Sequence, residues 1–406
     1  MTDSWLRLDN AAKLYPAIMK RRLSGVFRIS AYLFDEVNPT SLAEASNAAL
    51  AANPYFGMVL KKGLFWRYLE TPPASLKIAP APEAQTACAP LGLNPEEPLV
   101  RILFFKNKIA LEASHILTDG TGALGFLKDI LQHYAEGKIN PKASCELHDK
   151  YAYHCRKARK PSAENPAWRM GGRTTNFYRL TSALVSAQSL LEKSAGFKVT
   201  AGQFLCACQI FALQNMAIEA RDTARAIRIC VPVNLRKIFS DETPRNFFLS
   251  VYPDAYPFQK LSLGQICLRV KEFMAHQAEP EALNATMSRN LNGERNDFVR
   301  HVPLAVKEAA LRFVYRLNMR PTSSLFTNLG KVSMPAGAAQ KAVMRLEVAP
   351  TPNYFLKASL AAVTFADTAC LTIGSYAESS DFEEKFFDVL LSHGLDLNVY
   401  SNTSNG

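Results

Sequence analysis

The chain has 406 residues, of which 48% are hydrophobic and 20% charged, with a formal net charge of +11. This is enough apolar material for a large core, and at roughly 150 residues per unit it suggests two or three units. No apolar run approaches the roughly 18 residues of a membrane span, and the opening Met1-Thr-Asp-Ser-Trp5 lacks the charged-then-apolar pattern of a secretory leader, so neither a transmembrane segment nor a leader is expected.

In chain order, Val26–Phe34 reads as a strand, and Pro39-Thr40-Ser41 opens a helix to about Ala52 with Leu42, Ala45 and Ala49 on one side. Met58–Lys61 and Phe65–Leu69 flank Lys62-Gly63 as a hairpin. A second hairpin pairs Val100–Phe105 with Ile109–His115. Alternation puts Ile109, Leu111, Ala113 and His115 on one face, so His115 leaves the sheet with its apolar neighbours. A helix over about Gly122–Glu136 buries Leu124, Leu127 and Leu131. Residues 137–175 form a basic, Pro-bearing connector, and the boundary between halves is set there, giving 1–160 and 161–406. In the second half the pattern predicts helices over Thr181–Lys193, from N-cap Thr200, over 260–277, 302–317 and from Asp381. It predicts strands at Ala226–Val233, Phe247–Tyr252, 323–328, 343–349, 355–365 and 369–376.

The chemistry concentrates in Ser114-His115-Ile-Leu-Thr-Asp119-Gly120-Thr121. An imidazole offers a lone pair at neutral pH, as a general base requires. The acid four residues on is too constrained by a strand-to-helix turn to be assumed a direct triad partner. The glycine after it is expected to permit unusual backbone angles where the helix starts. Gly120-x-Gly122-x-x-Gly125 overlaps this segment and formally fits a dinucleotide loop, but no second strand with a terminal acid follows, so that reading is set aside. Cys145, His148, His154 and Cys155 fit no standard zinc spacing, and no metal is expected. Eight cysteines without a CxxC pair suit reduced thiols and a cytoplasmic protein. The run Arg156–Lys160 lacks interleaved aromatics and is read as a solvated linker, not a nucleic-acid site. Arg236, closing a strand in Pro232-Val-Asn-Leu-Arg236, is a cation that can meet Asp119 across the halves. Asn246 and Thr327-Asn328 place amides and a hydroxyl beside strands, where they can orient substrate or stabilise an oxyanion.

His115-x-x-x-Asp119-Gly120 resembles the signature of chloramphenicol-acetyltransferase-like acyltransferases. That superfamily includes condensation domains, plant BAHD acyltransferases, polyketide-associated acyltransferases and alcohol acetyltransferases. Leu8-Asp9-Asn10, Gly63-Leu-Phe-Trp66, Pro232–Arg236, Asn246-Phe-Phe248 and Thr327-Asn-Leu-Gly330 are similar to weaker landmarks of the group, and the opening is closest to bacterial alcohol-acetyltransferase-like proteins. The resemblance implies an α/β fold of two similar halves with mixed sheets meeting at a central tunnel. It implies that His115 deprotonates an alcohol or amine acceptor, that Asp119 and Gly120 shape the loop, and that Arg236 pairs with Asp119. Ser114, Thr121, Asn246, Thr327 and Asn328 are carried as substrate-side residues. No bound cofactor is implied, and the co-substrate is acyl-CoA or an acyl-carrier phosphopantetheine. Partners are a small-molecule acceptor, an acyl thioester and, for a carrier-bound donor, an acyl carrier protein. Condensation domains usually carry a second histidine where Ser114 stands, and BAHD enzymes a late D-F-G-W-G that this chain lacks. A free-standing acyltransferase is therefore the leading expectation. Condensation on carrier-protein thioesters is the alternative, and a non-catalytic binding protein on the same fold is the second.

Overall fold

The computed structural model describes residues 5–71, 75–80, 87–139, 146–154, 165–277, 279–292 and 301–403. The expected boundary at 160/161, Cys145, Cys155 and the run 156–160 lie outside these residues. Three sheets organise the rest. A small antiparallel sheet holds β1 (Trp5–Arg7), β3 (Val59–Lys62) and β4 (Arg67–Glu70) in the order β1-β4-β3.

The first main sheet contains β2 (Val26–Leu33), β5 (Ile78–Pro80), β6 (Val100–Phe105), β7 (Lys108–Ser114) and β13 (Val343–Ala349), in the order β13-β2-β7-β6-β5. The second contains β8 (Thr174–Ser186), β9 (Ile227–Asn234), β10 (Phe248–Val251), β11 (Asp254–Ala255), β12 (Ser324–Val332), β14 (Ala358–Phe365), β15 (Thr368–Ala377) and β16 (Asn398–Ser401). Its path is β10-β9-β12-β14-β15-β8-β16, with β11 also on β9. Each of the two main sheets mixes parallel and antiparallel pairs.

One excursion stitches the halves together. After β12 the chain leaves the second sheet, forms the helix Ala338–Ala342 and adds β13 antiparallel to β2, with Val348 opposite Ile29. It then returns as β14. Alternate residues of β14 serve different cores: Ala361, Val363 and Phe365 join the core around Ile29, Leu111 and Leu127, while Ala358, Leu360 and Ala362 join the core around Phe204, Ile229 and Phe386. A strand covered on both faces reads as an almost unbroken apolar run.

The helix Ala201–Glu219 starts where the sequence places its N-cap. Thr200 Oγ1 accepts from Gln203 N at 3.2 Å and Gln203 Oε1 from Thr200 N at 2.9 Å, a reciprocal capping box. By length and composition this helix is long and apolar enough to cross a membrane, but 61% of its apolar window is buried inside the protein, with Phe204, Leu205, Ile210 and Leu213 in the second core. The expected helix Thr181–Lys193 is a correction of a different kind. Residues 181–186 complete β8, which pairs with β15 on one side and β16 on the other, and the helix begins only at Ala187. The pairing on both edges outweighs the weak local preference of Thr-Ser-Ala-Leu-Val-Ser.

On the face of β7 opposite Leu111, Glu112 is fully buried. Arg28 Nη2 lies 2.7 Å from Oε1, Cys88 N donates to Oε1 at 2.6 Å, and Arg101 Nε donates to Oε2 at 2.6 Å. This network fixes β2, β6 and β7 directly beneath the strand end that carries His115. Replacing Glu112 by Leu leaves two half-buried guanidinium groups unpaired. Urea denaturation should then show a loss of about 3 kcal/mol; a loss within experimental error would show the network to be dispensable.

Candidate active site

β7 ends at Ser114, and the chain turns sharply, with Leu117 N donating to Ser114 O at 2.9 Å and Thr118 N to the same oxygen at 3.1 Å. Asp119 then caps the helix Gly120–Glu136. His115 sits at the turn, half-buried, its backbone N–H held by Gly25 O at 2.8 Å. Three rings box the imidazole: Tyr15 stacks at 5.0 Å and 16°, Phe27 lies at 4.7 Å and Phe248 at 5.9 Å. Gly25 has φ +67°, and a Cβ there would meet Tyr15 Cδ1 at 2.8 Å, so this glycine admits the stacking ring.

The aromatic box removes water from the ring. Burial lowers the His115 pKa below the ordinary 6.5, against weaker upward pulls from Asn246, Asp119 and the Thr118 backbone. The imidazole is therefore neutral at pH 7. Its Nδ1 faces Asn246 Oδ1 at 3.4 Å. The Asn246 amide nitrogen donates to His115 O at 2.9 Å and to Asp9 Oδ2 at 3.1 Å. With both acceptors on the nitrogen side, the amide oxygen is what meets the ring, so Nδ1 carries the proton and Nε2 the lone pair.

Asp119 is 5% exposed and Arg236 8%. Arg236 Nη1 meets Asp119 Oδ2 at 2.8 Å and Nη2 meets Oδ1 at 3.0 Å, a bidentate pair. Oδ1 also accepts from Thr121 N at 3.1 Å and Gly122 N at 3.0 Å, and Oδ2 from Phe247 N at 2.9 Å. The guanidinium continues to Thr243 O at 2.9 Å and Arg245 O at 2.5 Å. Both carboxylate oxygens are thus engaged away from the His115 nitrogens, and the acid shapes the loop without touching the base.

Gly120 is not among the positive-φ residues, which corrects the expectation of an unusual backbone angle there. Its Cβ would instead meet Leu329 Cδ2 at 2.8 Å, the mobile end of a side chain. Gly122 is more constrained: a Cβ would lie 2.2 Å from Pro244 O and 2.3 Å from Thr118 Oγ1. Here Thr118 Oγ1 donates to Pro244 O at 2.6 Å across the seam of the halves. Both glycines begin a helix that follows an antiparallel hairpin strand, not a parallel one, so the dinucleotide pattern has no structural counterpart.

The other expected residues divide. Asn246 touches His115, as above. Ser114 is fully buried, and its hydroxyl accepts from Ile116 N at 3.2 Å, serving the turn. Thr121 Oγ1 accepts from Asn234 Nδ2 at 3.1 Å, tying the helix start to β9. Asn328 Oδ1 accepts from Gly330 N at 2.8 Å in a turn at the irregularity of β12, and Thr327 pairs with Ala361; Leu329 from this stretch covers Gly120. His154 packs between Phe239 and Phe247, 3.8 Å from Asp241, and no cluster of three or more metal-ligating side chains occurs among the described residues. Tyr15 and Gly25 were missed by motif reasoning, Gly122 was read only as part of the dinucleotide pattern, and Asp9 was given no role. For Asp9 the only signal was its place in Leu8-Asp9-Asn10.

No family model and no curated protein matches the sequence. Solved structures match in fold. The TRI3 trichothecene 15-O-acetyltransferase from Fusarium sporotrichioides is 13% identical, covers 97% of this chain and 96% of its own, and gives a TM-score of 0.66. TRI101 from F. graminearum, complexed with coenzyme A and deoxynivalenol, is 12% identical over 97% of this chain and 99% of its own, at 0.65. A condensation domain of the enacyloxin polyketide synthase is 13% identical over 97% and 83%, at 0.58. The chain therefore has the two-lobed α/β fold shared by acetyltransferases and condensation domains.

Two outcomes test the geometry. Arg236→Ala strands a buried carboxylate and should lower stability by about 3–5 kcal/mol in denaturant melts, whereas replacing both partners by apolar residues should cost less. Gly122→Ala should destabilise by about 1–3 kcal/mol, more than Gly120→Ala, because backbone cannot yield as a leucine methyl can. The reverse order would contradict the seam described.

Proposed function

We propose that this chain is an acyltransferase that moves an acyl group from a CoA thioester to an alcohol or amine. One observation carries the reading: a half-buried imidazole at the seam of the halves, its Nδ1 facing the Asn246 amide oxygen and its pKa held below 6.5 by burial. In this scheme both substrates reach His115 through a channel between the halves. Nε2 takes the proton of the acceptor O–H or N–H as the heteroatom attacks the thioester carbonyl carbon. The tetrahedral intermediate collapses, the C–S bond breaks, and the imidazolium returns the proton to the departing thiolate. No covalent enzyme intermediate and no metal enter the scheme. Asp119, Gly120 and Arg236 hold the loop.

Fold likeness supports the class. The TRI101 structure holds coenzyme A and deoxynivalenol, and TRI3 is a trichothecene 15-O-acetyltransferase. The +11 charge suits the phosphates of a CoA donor. Condensation on carrier-bound thioesters remains the alternative, supported by the enacyloxin domain. The six described cysteines are free and buried, which fits the reducing compartment expected for the chain.

The test is a thiol-release assay over a panel of acyl-CoAs with alcohols and amines, run beside His115→Ala. The variant should lose on the order of 100-fold or more in kcat/KM. Activity only with carrier-bound thioesters would select the alternative, and unchanged activity in the variant would remove the mechanism. A base whose pKa is lowered stays unprotonated to lower pH. The acid limb of kcat/KM should therefore fall below pH 6.5; an inflection well above 6.5 would contradict the ring's surroundings.

A further inference from the structure

A buried carboxylate from the start of the chain reaches the same histidine. Asp9 is 1% exposed. Its Oδ1 accepts from Ala12 N at 2.8 Å, and its carboxylate accepts the Asn246 amide at 3.1 and 3.4 Å, with Arg245 Nε 3.6 Å away. Asn246 alone does not prefer one orientation strongly, because an amide can present either end to Nδ1. An anionic oxygen beside the nitrogen end decides the matter: turned round, the amide oxygen would face a carboxylate and a carbonyl, three acceptors with no proton among them. We propose that Asp9 is a positioning residue which, through Asn246, holds His115 as the Nδ1–H tautomer with Nε2 unprotonated. This rests on the reading of His115 as the base, but the tautomer itself can be observed without any substrate.

The bland alternative is that Asp9 only pins Arg245, whose guanidinium also donates to Leu147 O and Arg7 O. Ring 15N NMR of His115, assigned by difference from His115→Gln, separates the two. Wild type should show one Nδ1–H tautomer, and Asp9→Asn a mixture. Loss of a hydrogen bond to a charged group predicts a kcat roughly 10- to 100-fold lower, with KM nearly unchanged. Asn246→Ala keeps the Asp9–Arg245 pair and should mix the tautomers as well, which covers the case in which Asp9→Asn fails to fold. A single Nδ1–H tautomer persisting in Asn246→Ala would overturn the proposal. A locked tautomer in a protein with no transferase activity would overturn the functional reading instead and leave this one standing.

An independent observation lies on the surface. The helix Leu304–Met319 buries Leu304, Lys307 and Tyr315 on one side. On the other it exposes Val306 (57%), Phe313 (63%), Val314 (46%) and Leu317 (40%), at helical spacing. The tip of the β3–β4 hairpin abuts its first turn, where Leu304 N donates to Leu64 O at 3.2 Å and Lys307 Nζ to Phe65 O at 3.1 Å; Leu64 is 76% exposed and Phe65 37%. Arg312, Arg316 and Arg320, one turn apart and exposed, edge the apolar face. We infer that this face docks on an anionic lipid surface, the apolar ridge entering the headgroup boundary and the arginines meeting lipid phosphates. The net charge of +11 favours such a surface over a second copy of the chain. The full chain should co-sediment with vesicles of phosphatidylcholine and phosphatidylglycerol but not with phosphatidylcholine alone. Phe313→Ser with Leu317→Ser, or Arg316→Ala with Arg320→Ala, should each weaken binding roughly tenfold or more. Equal binding to both vesicle types, no binding to either, or self-association abolished by Phe313→Ser would overturn it.

Discussion

A single carboxylate, Asp119, receives five donors: two helix-start amides, both terminal nitrogens of Arg236, and the amide of Phe247. Three of these come from the other half of the chain. A buried charge stripped of such partners is strongly destabilising, although the complete pair need contribute little net stability over an apolar replacement. The pair therefore acts as a registration device. The halves are satisfied only when Arg236 and Phe247 stand where the Asp119 cap needs them. That docked position is also the one that brings Asn246 and Phe248, the immediate neighbours of Phe247, onto His115.

The base and its loop thus answer to different forces. The loop is held by charge and hydrogen bonds. The ring is held by Tyr15, Phe27 and Phe248, which supply shape and exclude water but little directional bonding. Exclusion of water lowers the ring's pKa and keeps it neutral. The Coulomb pull of Asp119 opposes this only weakly, since its oxygens are neutralised by Arg236 and turned to amides. An acid bonded straight to the ring would favour the imidazolium.

Much of this was legible in local sequence. The period-2 run before His115, the helical stripe of Leu124, Leu127 and Leu131, and the Thr200 cap each depend on neighbours within a few residues. The pairing of Arg236 with Asp119 had a physical argument and a family resemblance behind it before any geometry. What stayed hidden depends on distant chain. β13 gives no sign in its own residues that it will cross to the first sheet and lie on β2. Residues 181–186 became strand because β15 and β16 flank them. Gly25 and Gly122 look like any other glycine until Tyr15 and Pro244 O are placed against them. Asp9 carries no chemical signal until a residue 237 positions away presents its amide.

The insertion of a neutral amide between Asp9 and His115 has a chemical logic. Orientation and proton affinity are separate requirements of a base, and a carboxylate in direct contact supplies the first only by shifting the second. Burial pushes the Asp9 pKa up to about 6, partly offset by Arg245, so its charged form depends on donors. Asn246 satisfies it and passes on the orientation while keeping the charge one residue removed from the ring. His115 gains a defined tautomer and remains easily deprotonated, a combination suited to a group that must take a proton from one substrate and surrender it to another in the same cycle.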